Sequence, residues 1–500
     1  MKKIIFPLLA AAAFSFAACD NYLDINQDPD YPTEEQISTD MILPAVDMNF
    51  CASYGNYLRI VGGYFAQQYS QTFGTGNYLP YSQFTMSAAK SGGQAYTQLY
   101  LRVISTGQAV VDKATKEGDW GTFLAAKTYK ALAYTTMVDC YDSIPYTEAL
   151  TDITQPKSDD GETIYLGVIA ELDEALSKAS AGDKVATNFL FPGGKAINWI
   201  RLSNALKLKW YMRMANVKDE YLAKAKELIE ENNFPSEDVA WVGCWGTAAG
   251  EQNPFFAEEF ATNFGSTQEN VIANITLVGT MDRPSYHDPR LDAWFKKNVN
   301  GEFVGGVSGT NFSTSKTLDA SSFNRPNINY DSPVYLITLS EIEFFKAEYY
   351  ARTGHATEAQ EAYENAIKAS FKTAGVDGAD ANINFYPYDQ SNWKKSIGLA
   401  KYLALAGVNN FEAWCELRRL RYPEFSSEYD GSTLYNSSNS EYTPENYIPG
   451  TLYTPIEVDN KVGDNHLLER FPHAEESTSA NVNTPTGNID IYTTPVFWAN

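Results

Sequence analysis

Cysteine is scarce in this chain, with five residues in 500. Beyond Cys19 they stand far apart, at Cys51, Cys140, Cys244 and Cys415. That number and scatter exclude a disulfide framework and a structural zinc site, while leaving a disulfide after export open. Histidine is scarcer still, and His287, His355, His466 and His473 are too widely spaced for a metal cluster. Positive charge is short as well: 38 basic residues face 62 acidic ones, a formal net charge of −24. The longest basic cluster, Lys207 to Arg213, follows a helical pattern. Nucleic acid and anionic lipid need a basic patch and are therefore excluded as partners. Nucleophile-elbow and HExxH motifs are absent, and Gly74-Thr75-Gly76 lacks the third glycine and the strand–helix setting of a dinucleotide site. Acidic pairs such as Asp139/Asp142 and Glu258/Glu259 are expected by number alone in so acidic a chain, so a glycoside hydrolase is the weakest reading. No catalytic residue, cofactor or metal is expected.

Long apolar runs are also missing, except at the start. Lys2 and Lys3 precede the apolar stretch Ile4 to Phe16, and the small residues Ala17 and Ala18 follow. The stretch falls short of the roughly 20 residues that cross a bilayer and reads as a secretory signal peptide, residues 1–18, cut before Cys19. Phe16-Ala17-Ala18-Cys19 resembles the bacterial lipobox, with Phe16 where Leu, Val or Ile is usual. Cys19 would then carry diacylglycerol on sulfur and a further acyl chain on its new amino group, a stable anchor where one chain gives only marginal binding. Residues 19–40, acidic and broken by proline, read as a tether to the folded body. The competing reading is a periplasmic protein in which Cys19 is incidental.

What the chain has in abundance is aromatic residues, 33 Tyr, 27 Phe and 9 Trp. Tyrosines gather early, at Tyr54, Tyr57, Tyr64, Tyr69, Tyr78 and Tyr81, among Gln, Ser, Asn and Gly. Most should pack with their hydroxyl satisfied, leaving a minority for a binding surface. Helical periodicity is clearest over Tyr165–Ala179, where Tyr165, Val168, Ile169, Leu172, Ala175 and Leu176 share a face. Leu339–Arg352 reads as a helix ended at Gly354, and Thr357-Glu358-Ala359-Gln360 as a capping box for the next, striped by Ala359, Ala362, Tyr363, Ala366, Ile367 and Ser370. So short a turn forces the two antiparallel, and small residues allow close approach. The pair resembles one tetratricopeptide repeat, without a 34-residue period in the chain. Further helices are expected at Thr122–Asp139, Trp199–Asn216, Glu220–Glu231, Trp393–Ala406 and Phe411–Leu420. The fold class is mainly α: one domain over residues 41–500, with a helix-pair scaffold over 41–232 and 333–425. Residues 233–332 and 426–500, rich in Gly, Asn, Ser and Pro with little periodicity, should be long loop-rich insertions with few short strands, where binding residues gather.

Several separated segments together resemble the SusD/RagB family of nutrient-binding outer-membrane lipoproteins, in its SusD-like 2 branch. They begin with Cys19-Asp20 and Asp24-Ile25-Asn26-Gln27-Asp28-Pro29. Asp139-Cys140-Tyr141-Asp142-Ser143-Ile144-Pro145-Tyr146 looks like the family's tight turn, although Cys140 and Asp142 depart from the commoner residues. Gln155-Pro156-Lys157, Asn204-Ala205-Leu206-Lys207, Asp288-Pro289-Arg290-Leu291, Ser340-Glu341-Ile342 and Glu412-Ala413-Trp414 with Arg418-Arg419 follow in order. Most of these residues have scaffold readings. Arg418 and Arg419 can pair Glu341, Glu343 or Glu348 on a neighbouring helix, and Pro145 can stop the helix before it. The resemblance implies a tetratricopeptide-like scaffold with a loop-rich ligand face. It also implies a lid on a SusC-like TonB-dependent transporter, facing the cell exterior and capturing oligosaccharides or peptides.

Glycan recognition needs flat apolar rings to stack on sugars, with amides and carboxylates to read hydroxyls. Two stretches supply them: Asn77, Tyr78, Tyr81 and Gln83 in the first, and Trp241, Trp245, Gln252, Asn253, Phe255 and Phe256 in the second. Tryptophan in an irregular segment can instead plug the edge of a core. The functional alternative is a structural or adhesive surface lipoprotein that binds no small molecule.

Overall fold

The computed structural model describes residues 37–261, 269–456, 465–485 and 489–499. The expected signal peptide, Cys19 and the expected tether as far as residue 36 lie outside them. Thr39 and Asp40, assigned above to the end of the tether, open helix α1, Thr39–Ala52. Asp40 accepts hydrogen bonds from the main chain (2.7 Å) and hydroxyl (3.0 Å) of Thr187, joining this end to the body. The tyrosine-rich stretch is helical: a π-helical turn, Ser53–Leu58, leads into α2, Arg59–Phe65. A Cβ on Gly62 of α2 would sit 2.6 Å from the Asn410 carbonyl and the Phe411 Cα, so that glycine lets two helices touch backbone to backbone.

The scaffold is tetratricopeptide-like, built from consecutive helix pairs. They are α3, Thr106–Glu117, with α4, Trp120–Tyr141; α6, Ala196–Met214, with α7, Tyr221–Glu231; α9, Leu339–Arg352, with α10, Ala356–Ala374; and α11, Trp393–Leu405, with α12, Asn410–Leu420. Helix α5, Gly161–Lys178, packs on α4 and α6, with Asp160 capping its first turn. Helix α4 is buried on every face over almost its whole length, the property of a helix enclosed by others.

Three local expectations are corrected. The capping box lies one helix earlier than read: Thr338 and Glu341 cap each other at the start of α9, whereas α10 follows His355, whose side chain makes no cap. Thr357 thus falls inside the first turn, although the apolar stripe from Ala359 to Ser370 is buried as expected. Pro145 does not stop α4. Asp142, at φ +68°, turns the chain three residues sooner, and Ile144-Pro145 then pairs antiparallel with Ser158-Asp159. Of the two arginines, Arg419 alone takes a carboxylate expected for them, donating to both oxygens of Glu348 (2.6 and 2.5 Å). Arg418 instead donates to the carbonyls of Asp139 (2.9 Å) and Glu469 (2.7 Å) and lies 3.5 Å over the Trp414 ring.

Arg419 belongs to a buried network of ions. It also meets Glu416, which accepts from Lys401 at 2.9 Å. Arg213 bridges Asp139 (2.6 Å) and Glu412, and Lys209 reaches Glu412 at 3.0 Å. Burial pushes the Glu348 and Glu416 carboxyls up, but the arginines and lysine facing them outweigh it and hold both below the ordinary range. The chain's last helical turn joins the same centre: Trp498 donates its indole N–H to Asp139 (2.8 Å), and the guanidinium of Arg213 lies 5.2 Å from its ring centroid.

Short paired strands connect insertion and scaffold. Strand β1, Tyr69–Gln71, runs antiparallel to β3, Val271–Ala273, and β2, Val239–Trp241, runs antiparallel to β4, Val334–Ile337. The first insertion thus starts and ends on one two-stranded ribbon. It also holds short helices that its composition did not suggest, among them α8, Pro254–Glu259. A separate apolar cluster, including Ile272, Phe312, Phe323, Leu434, Tyr435 and Tyr453, joins the two insertions to each other. The loops are therefore ordered by a small core of their own. Among the described residues no helix is long and apolar enough to cross a membrane.

Candidate functional site

A cleft of about 830 Å³ opens where the first insertion meets the N-terminal helices. Met48 and Ala52 of α1, Asn56 of the π-helical turn and Phe189 form one wall; Cys244, Trp245, Glu251 and Gln252 of the loop after β2, with Ala257 and Glu258 of α8, form the other. The second wall is fixed from below. Asn253 caps α8, accepting from the main chains of Phe255 (2.9 Å) and Phe256 (3.0 Å), and donates its amide to the Ser332 carbonyl (2.8 Å). Gly243 and Gly250, at φ +69° and +87°, supply the left-handed bends that return the loop over the cleft.

Among the described residues, two polar atoms of this cleft's lining are buried without a partner: the indole N–H of Trp245 and the side-chain carbonyl of Asn56. One is a donor and the other an acceptor, and orphan polar groups of this kind are costly unless something outside the chain satisfies them. Burial pushes the half-buried Cys244 thiol up to about 11, so it stays protonated, and Cys51, Cys140, Cys244 and Cys415 are free thiols.

The two sequence stretches meet at the edge of the cleft. Tyr78 directs its hydroxyl toward a Glu258 oxygen at 3.4 Å and stacks on Tyr81, centroids 5.9 Å apart at 17°. Burial, with Glu259 and Glu258 nearby, raises the Tyr78 phenol far above its usual value and keeps it a donor. Asn77 is exposed, and Gln83 is half-buried with its amide 3.4 Å from the Gly309 carbonyl. Tyr81 is buried.

Several expected contact residues are framework. Trp241 has 0% of its surface exposed, packs on Phe50 and donates its indole N–H to Asp47 at 2.5 Å. It is the core plug that an irregular tryptophan can be, with no ring face left for a sugar. Phe255 is equally buried, stacked on Tyr69 (6.0 Å, 12°) beneath Arg59, and Asn253 spends its amide on capping. Phe256 is half-buried against Phe260. Trp245 and Gln252 line the cleft. Sequence reasoning passed over Asn56, Phe189 and Glu251 and gave no weight to Glu258. Asn56 sits between two of the early tyrosines, and Phe189 opens the aromatic, glycine-rich Phe189-Leu190-Phe191-Pro192-Gly193-Gly194, so both carried a compositional signal. Glu259, the neighbour of Glu258, is buried near the Tyr78 hydroxyl and accepts from the main chains of Asn270 (2.7 Å) and Val271 (3.2 Å).

Among the described residues no group of three or more His, Cys, Asp or Glu is placed to hold a metal ion. His287 lies between Asp282 and Asp292, His355 meets the Thr353 hydroxyl, His473 is buried against Tyr141, and His466 is exposed.

Helix pairs carrying a loop-built cleft at one side define a tetratricopeptide-like scaffold with a specialised loop face. The SusD-like 2 family, described as starch-binding and associating with the outer membrane, matches residues 35–447, and the chain belongs to that family. Solved structures agree in fold. A SusD homologue from Bacteroides uniformis is 19% identical, covering 92% of this chain and 98% of that one, with a TM-score of 0.72. One from Bacteroides thetaiotaomicron is 17% identical over 93% and 99%, with a TM-score of 0.70. A chitin-binding SusD homologue from Flavobacterium johnsoniae is 17% identical over 91% and 98%, also with a TM-score of 0.70. A search of curated proteins finds no match.

Proposed function

We propose that this chain is a surface lipoprotein, anchored through Cys19, that captures oligosaccharides in the Trp245 cleft and passes them to a SusC-like TonB-dependent transporter. The observation that carries the reading is the half-exposed Trp245 ring in an open cleft whose other wall holds Asn56 and Phe189. A sugar hydroxyl both donates and accepts, so a sugar ring stacked on Trp245 can meet polar groups of either kind in the cleft. Gln252, Tyr78 and Glu258 add further polar groups at the rim, and the half-open cleft suits modest affinity with rapid release. The family's starch-binding description and the chitin-binding relative of the same fold support a glycan over a peptide. Capture without hydrolysis is the proposed activity.

Calorimetry on the mature chain from Asp20, titrated with neutral oligosaccharides, tests this. Saturable binding is expected, weakened at least about tenfold by Trp245→Ala, consistent with aromatic anchors carrying much of a small site's affinity, and the oligosaccharide should be recovered intact. Binding of peptides alone, or sugar binding indifferent to Trp245, would refute the assignment.

A further inference from the structure

Among the described residues the cleft is lined by two carboxylates, Glu251 and Glu258, and by no lysine, arginine or histidine. Among the described residues neither carboxylate has an ion-pair partner; the neighbour of Glu258 is the neutral Tyr78 hydroxyl. Glu251 is held in place by its own loop. Its carbonyl accepts from the Gly246 N–H (2.8 Å) and its N–H donates to the Ala248 carbonyl (3.1 Å). Its carboxylate folds over Gly246 so closely that a Cβ there would lie 2.2 Å from Oε2. The chain around the cleft carries a net charge of −24, which adds no opposing field.

We infer that this cleft selects its glycan by charge, admitting neutral and amino-bearing sugars and rejecting sugars that carry carboxylates or sulfates. The inference rests on the cleft being the glycan site. An acidic sugar beside Trp245 would bring a third negative group near two fixed ones with no cation to offset it. Like-charge repulsion of this kind is how a site rejects a wrong partner rather than merely failing to attract it. Two carboxylates at separations of several ångström, in a half-wet cleft, weaken an acidic ligand about tenfold or more at low salt. An ammonium group meets the reverse field and the same two acceptors.

The test compares tetramers of equal length on the mature chain at low salt: maltotetraose and tetra-N-acetylchitotetraose as neutral probes, chitosan tetramer as the cation and tetragalacturonate as the anion. The better neutral tetramer and the chitosan tetramer should bind, with tetragalacturonate at least about tenfold weaker. Added sodium chloride should narrow the gap. Glu251→Gln with Glu258→Gln should raise tetragalacturonate relative to the neutral tetramer, and Gly246→Ala, which displaces the Glu251 carboxylate without removing its charge, should change the same ratio. Tetragalacturonate binding as tightly as the neutral tetramers, or a ratio unmoved by the double variant, would overturn charge selection while leaving glycan capture intact. Binding of none of the four would sink both.

Discussion

Trp241 and Trp245 are four residues apart, and truncating each should have opposite consequences. Trp241 has no exposed surface and is one of four donors to Asp47, the others being the Tyr129 hydroxyl and the main chains of Phe189 and Leu190. Burial pushes the Asp47 carboxyl up, and these donors hold it back, so losing one leaves a buried acid less satisfied. Trp241→Ala opens a large cavity beside Phe50 and removes that donor; buried Trp to Ala changes cost about 3–5 kcal/mol, and this site belongs at the upper end. Trp241→Phe keeps most of the packing and loses only the donor, a cost of about 1.5–3 kcal/mol for a bond to a charged group. Trp245 is half-buried with an unpaired N–H, so Trp245→Ala should cost about 1–2 kcal/mol, the lost burial of part of one ring. Urea denaturation followed by far-ultraviolet circular dichroism gives the stability order wild type, Trp245→Ala, Trp241→Phe, Trp241→Ala, with slopes unchanged. Calorimetry of the folded variants should invert it, with Trp245→Ala losing the glycan and Trp241→Phe keeping it. A Trp241→Ala protein with a wild-type midpoint and no binding would refute the division of the two tryptophans into framework and contact.

Two further outcomes follow from buried charge. Arg419→Met strands Glu348 and Glu416, but Arg352, Lys401 and Arg213 still face them, so the loss should sit near the low end for a broken buried pair, about 3 kcal/mol, and removing Glu348 as well should cost less than Arg419 alone. Denaturant midpoints of the two single variants and the double decide this. His473 is buried and its imidazole is pushed down to about 4, by burial first and Arg470 second. Its folded value lies below the unfolded one, so the stability it contributes is complete above about pH 6.5 and drains away as pH falls toward 4, by up to about 3 kcal/mol. His473→Phe should flatten the fall in thermal midpoint between pH 7 and pH 5; an unchanged slope would reject the assignment.

The scaffold was legible because its helices announce themselves through spacing. Tyr165 to Leu172, Leu339 to Arg352 and Ala359 to Ser370 carry their apolar residues on one face, and the structure places those helices within a few residues of the expected ends. Helices α1 and α2 were not read as such because Pro44 interrupts α1, two glycines sit in the short α2, and burial on several faces erases the stripe; the π-helical turn adds a period that sequence patterns do not encode. The site was half legible. Composition pointed to two stretches that the structure places beside one cleft, with Tyr78 next to Glu258, but exposure is a tertiary property. Whether a tryptophan plugs or displays depends on what lies behind it, and Asp47, almost two hundred residues away, decides that for Trp241. Asn56 and Phe189 enter the cleft from scaffold segments for the same reason.

The Trp498 indole reaches Asp139 across 359 positions of chain. A contact of such span forms late, because the intervening loop has to close before the bond repays the cost. The central helix α4 therefore waits for almost the last residues to arrive before its buried acid is fully paired. The turn that carries Trp498 is thus a latch on the central helix, and its release would leave the Asp139–Arg213 pair one donor short.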